Sequence, residues 1–356
     1  MKILSVVGAR PQFVKAFVVS DELRKAHEEI LVHTGQHYDD KLSEVFFDTL
    51  GIPEPDVNLG VGSGRHGEQT AEMLTRLEEI IEDEEPDVVL LYGDTNSTLA
   101  GAIAGVKLEP DVVHVEAGLR SYNRDMPEEI NRILTDHSSD LLLAPSPAAM
   151  DCLEDEGLYE SAVMTGDVMY DAVLAVRERA REESTALERF SLAEDEFILS
   201  TVHRAQNTDD PQRLRSIFRA LGDADLPVVL PLHPRTESYL KDYDLWEFAN
   251  ERVRIVEPLN YLHFVRLMDT ADRIVTDSGG IQKEAFFLDT YCVTLRDETE
   301  WVETVDAGWN VIVGADEDAI SEALSAEWQR PEEKPEPYGG GNASRAVREA
   351  IESHVG

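Results

Sequence analysis

Lysine is scarce in this sequence. Only eight of its 32 basic residues are lysine, at positions 2, 15, 25, 41, 107, 241, 283 and 334, and the rest are arginine. Cysteine is scarcer still: Cys152 and Cys292 lie far apart, which excludes a disulfide framework and a cysteine zinc site. No run approaches the roughly 18 uninterrupted apolar residues that a membrane helix needs. The N-terminus opens on the strand-like Lys2-Ile3-Leu4-Ser5-Val6-Val7, with no basic leader and apolar core of a secretion signal. Those absences predict a soluble, cytoplasmic protein. Positive charge is heavily outweighed, since 72 acidic residues leave a formal net charge of −40. Such a field repels phosphodiester backbones and anionic lipid, so no nucleic-acid or membrane partner is expected. Anionic small molecules stay open, because a pocket can hold its own local cations. Many carboxylates beside few lysines fit a salt-adapted (halophilic) protein, since at about 1 M salt the Debye length is roughly 3 Å and self-repulsion is screened. Acidic runs such as Glu82-Asp83-Glu84-Glu85 then read as solvated faces.

A length of 356 residues, 42% of them hydrophobic, suits two globular domains. Short β-rich runs alternate with helical patterns throughout, which predicts βαβ units and parallel sheets. Strands are expected at 2–7, 30–34, 87–92, 112–116 and 140–144, then at 196–202, 227–232, 253–256, 273–276, 290–294 and 310–313. Residues 68–82 carry Ala71, Leu74, Leu77, Ile80 and Ile81 at helical spacing. The expected class is α/β, with two Rossmann-like domains facing each other across a cleft. The first covers 1–167, with the C-terminal segment 343–356 returning to it, and the second covers 168–342.

In open α/β sheets ligands bind beyond the carboxyl ends of strands. The first strand runs into Gly8-Ala9-Arg10-Pro11, where a glycine turn and a helix start offer backbone amides to an anion and Arg10 and Lys15 add cations. A second anion seat is expected at Ser278-Gly279-Gly280, after the strand 273–276, with Glu284 one turn into the next helix to accept from ribose hydroxyls. Two such seats suggest a nucleotide diphosphate. Three carboxylates stand at or just past strand ends or at a helix start: Asp94, Glu116 and Glu128, with Glu129 beside the last. Clustered acids push some pKa values up and so make general acids and bases. His203, followed by Arg204, closes the strand 196–202 and suits either acid/base work or phosphate contact, and His233 and Arg235 repeat that pattern one strand later. No metal site is expected, because the acids lack paired histidines at ligand spacing, and His33 and His37 read as loop residues. Gly62-Ser63-Gly64-Arg65-His66-Gly67 spells a dinucleotide fingerprint but lacks the apolar strand that must precede it.

Taken in order, GARPQFVK from Gly8, HTGQH from His33, YGDTNST from Tyr92, HVEAGLRS from His114, MPEEINR from Met126, TVHRAQN from Thr201, PLHPRT from Pro231 and TDSGGIQKEA from Thr276 resemble the non-hydrolysing UDP-N-acetylglucosamine 2-epimerase family over nearly the whole chain. The resemblance implies a fold like the two-domain GT-B glycosyltransferases. It also implies interconversion of UDP-GlcNAc and UDP-ManNAc through elimination of UDP to a 2-acetamidoglucal, without NAD or a catalytic metal, by a homodimer. By the same resemblance Asp94, Glu116 and Glu128 are the acid/base carboxylates. Arg10, Lys15, Arg132 and His203 contact the nucleotide sugar, Ser278, Gly279 and Gly280 take up phosphate, Glu284 binds ribose and Phe264 lies against uracil. Thr299-Glu300-Trp301-Val302 departs from the T-E-R-P of many bacterial members, and Asp39 and Glu68 depart from a polar amide and an arginine at an allosteric site. The T-E-W-V ending, INRILTD from Ile130 and YGGG from Tyr338 look like the branch that acts on UDP-2,3-diacetamido-2,3-dideoxyglucuronate. A GT-B glycosyltransferase shares the expected fold and is the alternative from another class.

Overall fold

Strands buried on both faces of a parallel sheet are continuous apolar runs, and the chain carries many of them. A computed structural model describes residues 1–36 and 54–356, with the side chain of Arg10 also outside the described set. His37 and Asp39 fall outside it as well.

The first compact unit comprises Met1–Ala172 and Glu336–Gly356. Its strands are β1 (Lys2–Val7), β2 (Glu28–His33), β3 (Val57–Asn58), β4 (Val88–Tyr92), β5 (Asp111–Val115), β6 (Leu141–Ala144) and β7 (Ala162–Met164). They form one parallel sheet in the order β3-β2-β1-β4-β5-β6-β7. The second unit, Val173–Pro335, holds β8 (Ile198–Thr201), β9 (Val228–Pro231), β10 (Arg254–Val256), β11 (Arg273–Thr276), β12 (Tyr291–Thr294) and β13 (Asn310–Ile312). These are again parallel, in the order β10-β9-β8-β11-β12-β13. Each unit is therefore a doubly wound α/β sheet of the expected class. Strand order reverses between β1 and β4 in one and between β8 and β11 in the other, and ligands bind at such switch points.

The site depends on five helices, labelled here in chain order: α1 (Arg10–Leu23), α2 (His66–Glu84), α3 (Asn96–Gly105), α4 (Pro127–Asp136) and α5 (Gly279–Phe287). Gln69, Met73, Leu77 and Ile81 form the buried stripe of α2, each one turn from the next. The C-terminal helix Ala343–Val355 buries Ala343, Val347 and Ile351 and packs against α1, with His27 Nε2 3.0 Å from Glu352. Its first two amides donate to Asp171 at 3.0 and 2.8 Å. No helix among the described residues is long and apolar enough to cross a membrane.

Two findings refine the sequence expectations. β3 and β7 are sheet edges of only two and three residues, too short for a strand pattern in the sequence to mark them. The expected strand 112–116 stops at Val115, so Glu116 stands in the loop beyond β5. The G-x-G-x-x-G segment follows the two-residue β3, not a buried apolar strand, and leads into α2, where His66 Nδ1 lies 3.1 Å from Asn96 Nδ2 at the helix start after β4.

Candidate active site

β1 runs out through Gly8 into α1, beside the end of β4. Buried Gln12 joins the two: its Oε1 accepts from the amides of Gly8 and Ala9 at 2.8 and 2.9 Å. Its Nε2 donates to the Tyr92 carbonyl at 2.6 Å and to Thr98 Oγ1 at 3.0 Å. This corrects the expectation of free amides for an anion at this turn, since one glutamine side chain in the first turn of α1 already uses two of them.

From α1, the Lys15 ammonium pairs with the Glu116 carboxylate, and the two side chains are only 14% and 7% exposed. Burial works to lower the Lys15 pKa, but Glu116, with Asp167 and Asp94 beyond it, outweighs burial and holds the ammonium above its ordinary value. Asp94, just past β4, pairs with Arg132 of α4, which also reaches Glu129 at 3.2 Å. Backbone conformation brings these two ion pairs together. Gly93 takes φ 62°, and a Cβ there would lie 3.4 Å from Glu116 Oε2 and 3.9 Å from Lys15 Nζ. Glu116 itself takes φ 73°, a left-handed conformation that costs a residue other than glycine about 1 kcal/mol or more.

Behind the carboxylates runs a buried chain of polar and charged groups. His114 on β5 places Nε2 2.7 Å from the Gly93 carbonyl and Nδ1 2.6 Å from Asp136 Oδ1. The other Asp136 oxygen takes Arg120 at 2.7 Å and the Gly118 amide at 3.1 Å, and Arg120 forks onto Glu156 at 2.7 and 2.8 Å. Burial pushes the Asp136 carboxyl up, but His114 and Arg120 more than reverse this and hold it below its ordinary value. Of the two acids that open α4, Glu129 is buried and accepts from the amides of Ser121 and Tyr122 at 2.9 and 2.8 Å. Burial raises its pKa, and those bonds together with Arg132 bring it below the ordinary value. Glu128 faces solvent, four residues before Arg132 and on the same helical face.

In the second unit, fully buried Asp277 at the end of β11 organises the turn after β8. It accepts from the amides of His203 and Arg204 at 3.0 Å each and from Asn207 Nδ2 at 3.1 Å, with His203 Nδ1 3.4 Å away. The half-buried His203 ring lies 5.8 Å from that of His233. Burial, His233 and Arg204 lower its pKa, and Asp277 only partly offsets them. α5 starts earlier than expected, with Ser278 as its N-cap and Gly279 and Gly280 in its first turn, Gly279 buried and Gly280 exposed. Glu284 is buried on α5 and accepts from Tyr261 Oη at 3.1 Å. Phe264 stands half-buried one turn after Tyr261 on the helix Tyr261–Thr270, hence on the same face.

Lys15, Asp94, Glu116 and Arg132 thus meet in the first unit, while His203, Ser278, Gly279 and Glu284 gather around the switch point of the second. Arg235 is committed elsewhere, to Asp209 at 2.6 Å and Thr208 at 3.0 Å, so the second His-Arg pair is not a copy of the first. His33 is buried, edge-on to Phe13, and burial pushes its pKa down to about 4. Gln12, His114 and Asp136 escape a reading by residue type, because their roles come from partners distant in sequence. Asp277 was visible as an acid at a strand end.

Known proteins resemble this chain over nearly its whole length. A family model described as UDP-N-acetylglucosamine 2-epimerase matches residues 21–352. The chain is 48% identical over 354 residues to a UDP-N-acetylglucosamine 2-epimerase homolog of Methanococcus maripaludis, covering 99% of each. It is also 48% identical over 361 residues to the UDP-2,3-diacetamido-2,3-dideoxy-D-glucuronate 2-epimerase of Pseudomonas aeruginosa, again covering 99% of each. The crystal structure of Methanocaldococcus jannaschii UDP-GlcNAc 2-epimerase in complex with UDP-GlcNAc and UDP aligns at a TM-score of 0.83 and 39% identity, over 99% of this chain and 100% of that one.

Proposed function

The chain belongs to the UDP-N-acetylglucosamine 2-epimerase family, and from that premise we propose that it interconverts UDP-GlcNAc and UDP-ManNAc by inversion at C2. The observation that carries this is the pair of carboxylates, Asp94 and Glu116, held by Arg132 and Lys15 at the carboxyl ends of neighbouring strands β4 and β5. Abstraction of a proton from carbon needs a base that is already positioned, and a carboxylate fixed by a buried cation is one. A carboxylate takes the C2 proton, the C1–O bond breaks with UDP as leaving group, and a C1=C2 double bond forms. UDP then adds back to C1 as a proton returns to C2 from the opposite face. Departure of UDP develops charge on its phosphates, and the N-terminus of α5, His203 and the arginines near Gly279 are donors suited to receive it. Glu128, facing solvent on the helical face of Arg132, is the third acid/base candidate. Arg10, whose side chain is not described, stays with the nucleotide-sugar contacts, as do Lys15 and Arg132. Gly280 adds an amide for phosphate, Glu284 takes the ribose and Phe264 the uracil.

A specific observation favours a second reading of the sugar: the 48% identity to the diacetamido-glucuronate epimerase. That substrate needs the same C2 chemistry. The proposal extends to a homodimer in the cytoplasm of a salt-adapted cell, serving polysaccharide biosynthesis. The net charge of −40 supports the salt adaptation, and the rest leans on the family resemblance.

Incubation in deuterium oxide with each UDP-sugar in turn tests the assignment. UDP-GlcNAc should gain deuterium at C2 and yield the manno epimer. Exchange with the diacetamido uronate alone moves the substrate to the second reading, and exchange with neither removes the reaction.

A further inference from the structure

The loop after β12 places an acid where the nucleotide phosphates are proposed to sit. Thr299 Oγ1 donates to buried Gln282 Oε1 of α5 at 2.6 Å and so pins the loop beside that helix. The next residue, Glu300, lies over the helix start, and a Cβ on Gly279 would come 2.5 Å from its Oε1. Its Oε2 accepts from Arg296 at 2.7 Å, and the Arg296 side chain is only 11% exposed. Guanidinium nitrogens of Arg204 and Arg296 both come 3.5 Å from the same point beside Gly279. A helix N-terminus and two arginines thus converge on one spot, and a carboxylate of this chain is held there.

We infer that Glu300 is an internal competitor for the nucleotide diphosphate: the two anions use the same donors, and UDP binds by displacing the Glu300 carboxylate from Gly279 and Arg296. This rests on the UDP-sugar assignment above and deepens it. Two carboxylate or phosphate charges within a few ångströms repel, whereas either alone is stabilised by the dipole of α5 and by the arginines. Glu300 is the partner able to yield, because its side chain is 43% exposed and can swing into solvent while Arg296 stays in place. The affinity for UDP is then the difference between its own interactions and those it replaces, which lowers affinity and eases release of product nucleotide. Arg296 keeps a counter-charge in both arrangements and is never left buried and unpaired.

Calorimetric titration of UDP into the wild type, E300Q and E300A tests this at the lowest KCl concentration at which circular dichroism shows all three folded. Both variants should bind UDP more tightly, by about three- to tenfold, as for loss of one opposing charge at a partly exposed site. The gain should shrink in molar KCl as the repulsion is screened. Unchanged or weaker binding in E300Q would overturn the competition and make Glu300 a positioning residue for Arg296. Failure of UDP to bind the wild type would overturn the nucleotide assignment as well, so the two ideas fail by different results.

Discussion

Lys15 and Glu116 act as a unit, because removing either leaves the other nearly buried without its counter-charge. E116Q keeps the shape but loses the base, and should lower kcat by about 10²–10⁴-fold. D94N should do the same. K15A should also lower kcat, and the K15A/E116Q double variant should be little worse than the worse single one, since paired groups are not additive. Isothermal titration should find UDP affinity little changed in D94N and E116Q, because both acids are assigned to the sugar end. Additive losses in the double variant would mean that the pair does not work as one. His203 gives a pH-dependent expectation. Burial, His233 and Arg204 depress its pKa below 6.5, so the unfolded chain binds this proton more readily than the folded one. Its contribution to stability is therefore full above about pH 6.5 and is lost as pH falls. A phosphate within reach reverses the local field, so the imidazole midpoint followed by NMR should start below 6.5 and move up when UDP is added. A midpoint indifferent to UDP would take His203 away from the phosphates.

At the scale of elements, the turns at strand ends decide whether good residues become a site. Gly93→Ala tests one of them. The substitution forces a Cβ into the left-handed region at φ 62° and places it 3.4 Å from Glu116 Oε2. A loss of about 1–2 kcal/mol in urea denaturation is expected, with a fall in kcat from a displaced carboxylate. Stability within error of wild type would show that the turn does not need glycine. The same scale explains how much was legible beforehand. β4 and β6 are buried at every position and apolar throughout, and the equally buried β8 and β11 keep an apolar pair beside β-branched threonine, so all four are visible in the sequence as strands. Their order made the strand-end residues Asp94, His203 and Ser278, and Glu116 just past one, candidates before any coordinates. β3 and β7 stayed hidden because edges of two and three residues are too short to show a strand period. The amides after β1 were misjudged because their partner, Gln12, reads as an ordinary helix residue until it is seen bonding to Tyr92, 80 positions away. His114 and Asp136 were missed likewise, since a buried hydrogen-bonded pair between a strand and the following helix leaves no spacing pattern.

For the whole molecule, the charge balance sets the conditions under which everything above holds. α2 shows the problem locally: Glu68, Glu72, Glu79, Glu82 and Asp83 are exposed on it, and Arg76 is its one cation, paired with Glu72. Acids at its C-terminal end also oppose the helix dipole. Lysine survives where a cation has a carboxylate to hold, as in the pairs Lys2–Glu84, Lys15–Glu116, Lys25–Glu22, Lys241–Glu237 and Lys334–Asp289. If the net charge of −40 is an adaptation to salt, removing salt should expose its cost, because the Debye length grows from roughly 3 Å at 1 M to about 10 Å at 0.1 M and distant acids begin to repel. The melting temperature should therefore rise steeply with KCl at low concentration. Screening is nearly complete by about 1 M, so any further rise there reflects strengthened apolar burial, which continues with salting-out ions. Two measurements separate these causes. The E79K/E82K variant removes acids from α2 and should need less KCl to reach the same melting temperature, with its advantage greatest at the lowest salt. Comparison of KCl with potassium sulfate at equal ionic strength should give matching curves at low salt and diverge only at high salt. A wild-type melting temperature that stays flat from about 0.1 M to several molar KCl would leave the acidic surface without a role in salt adaptation.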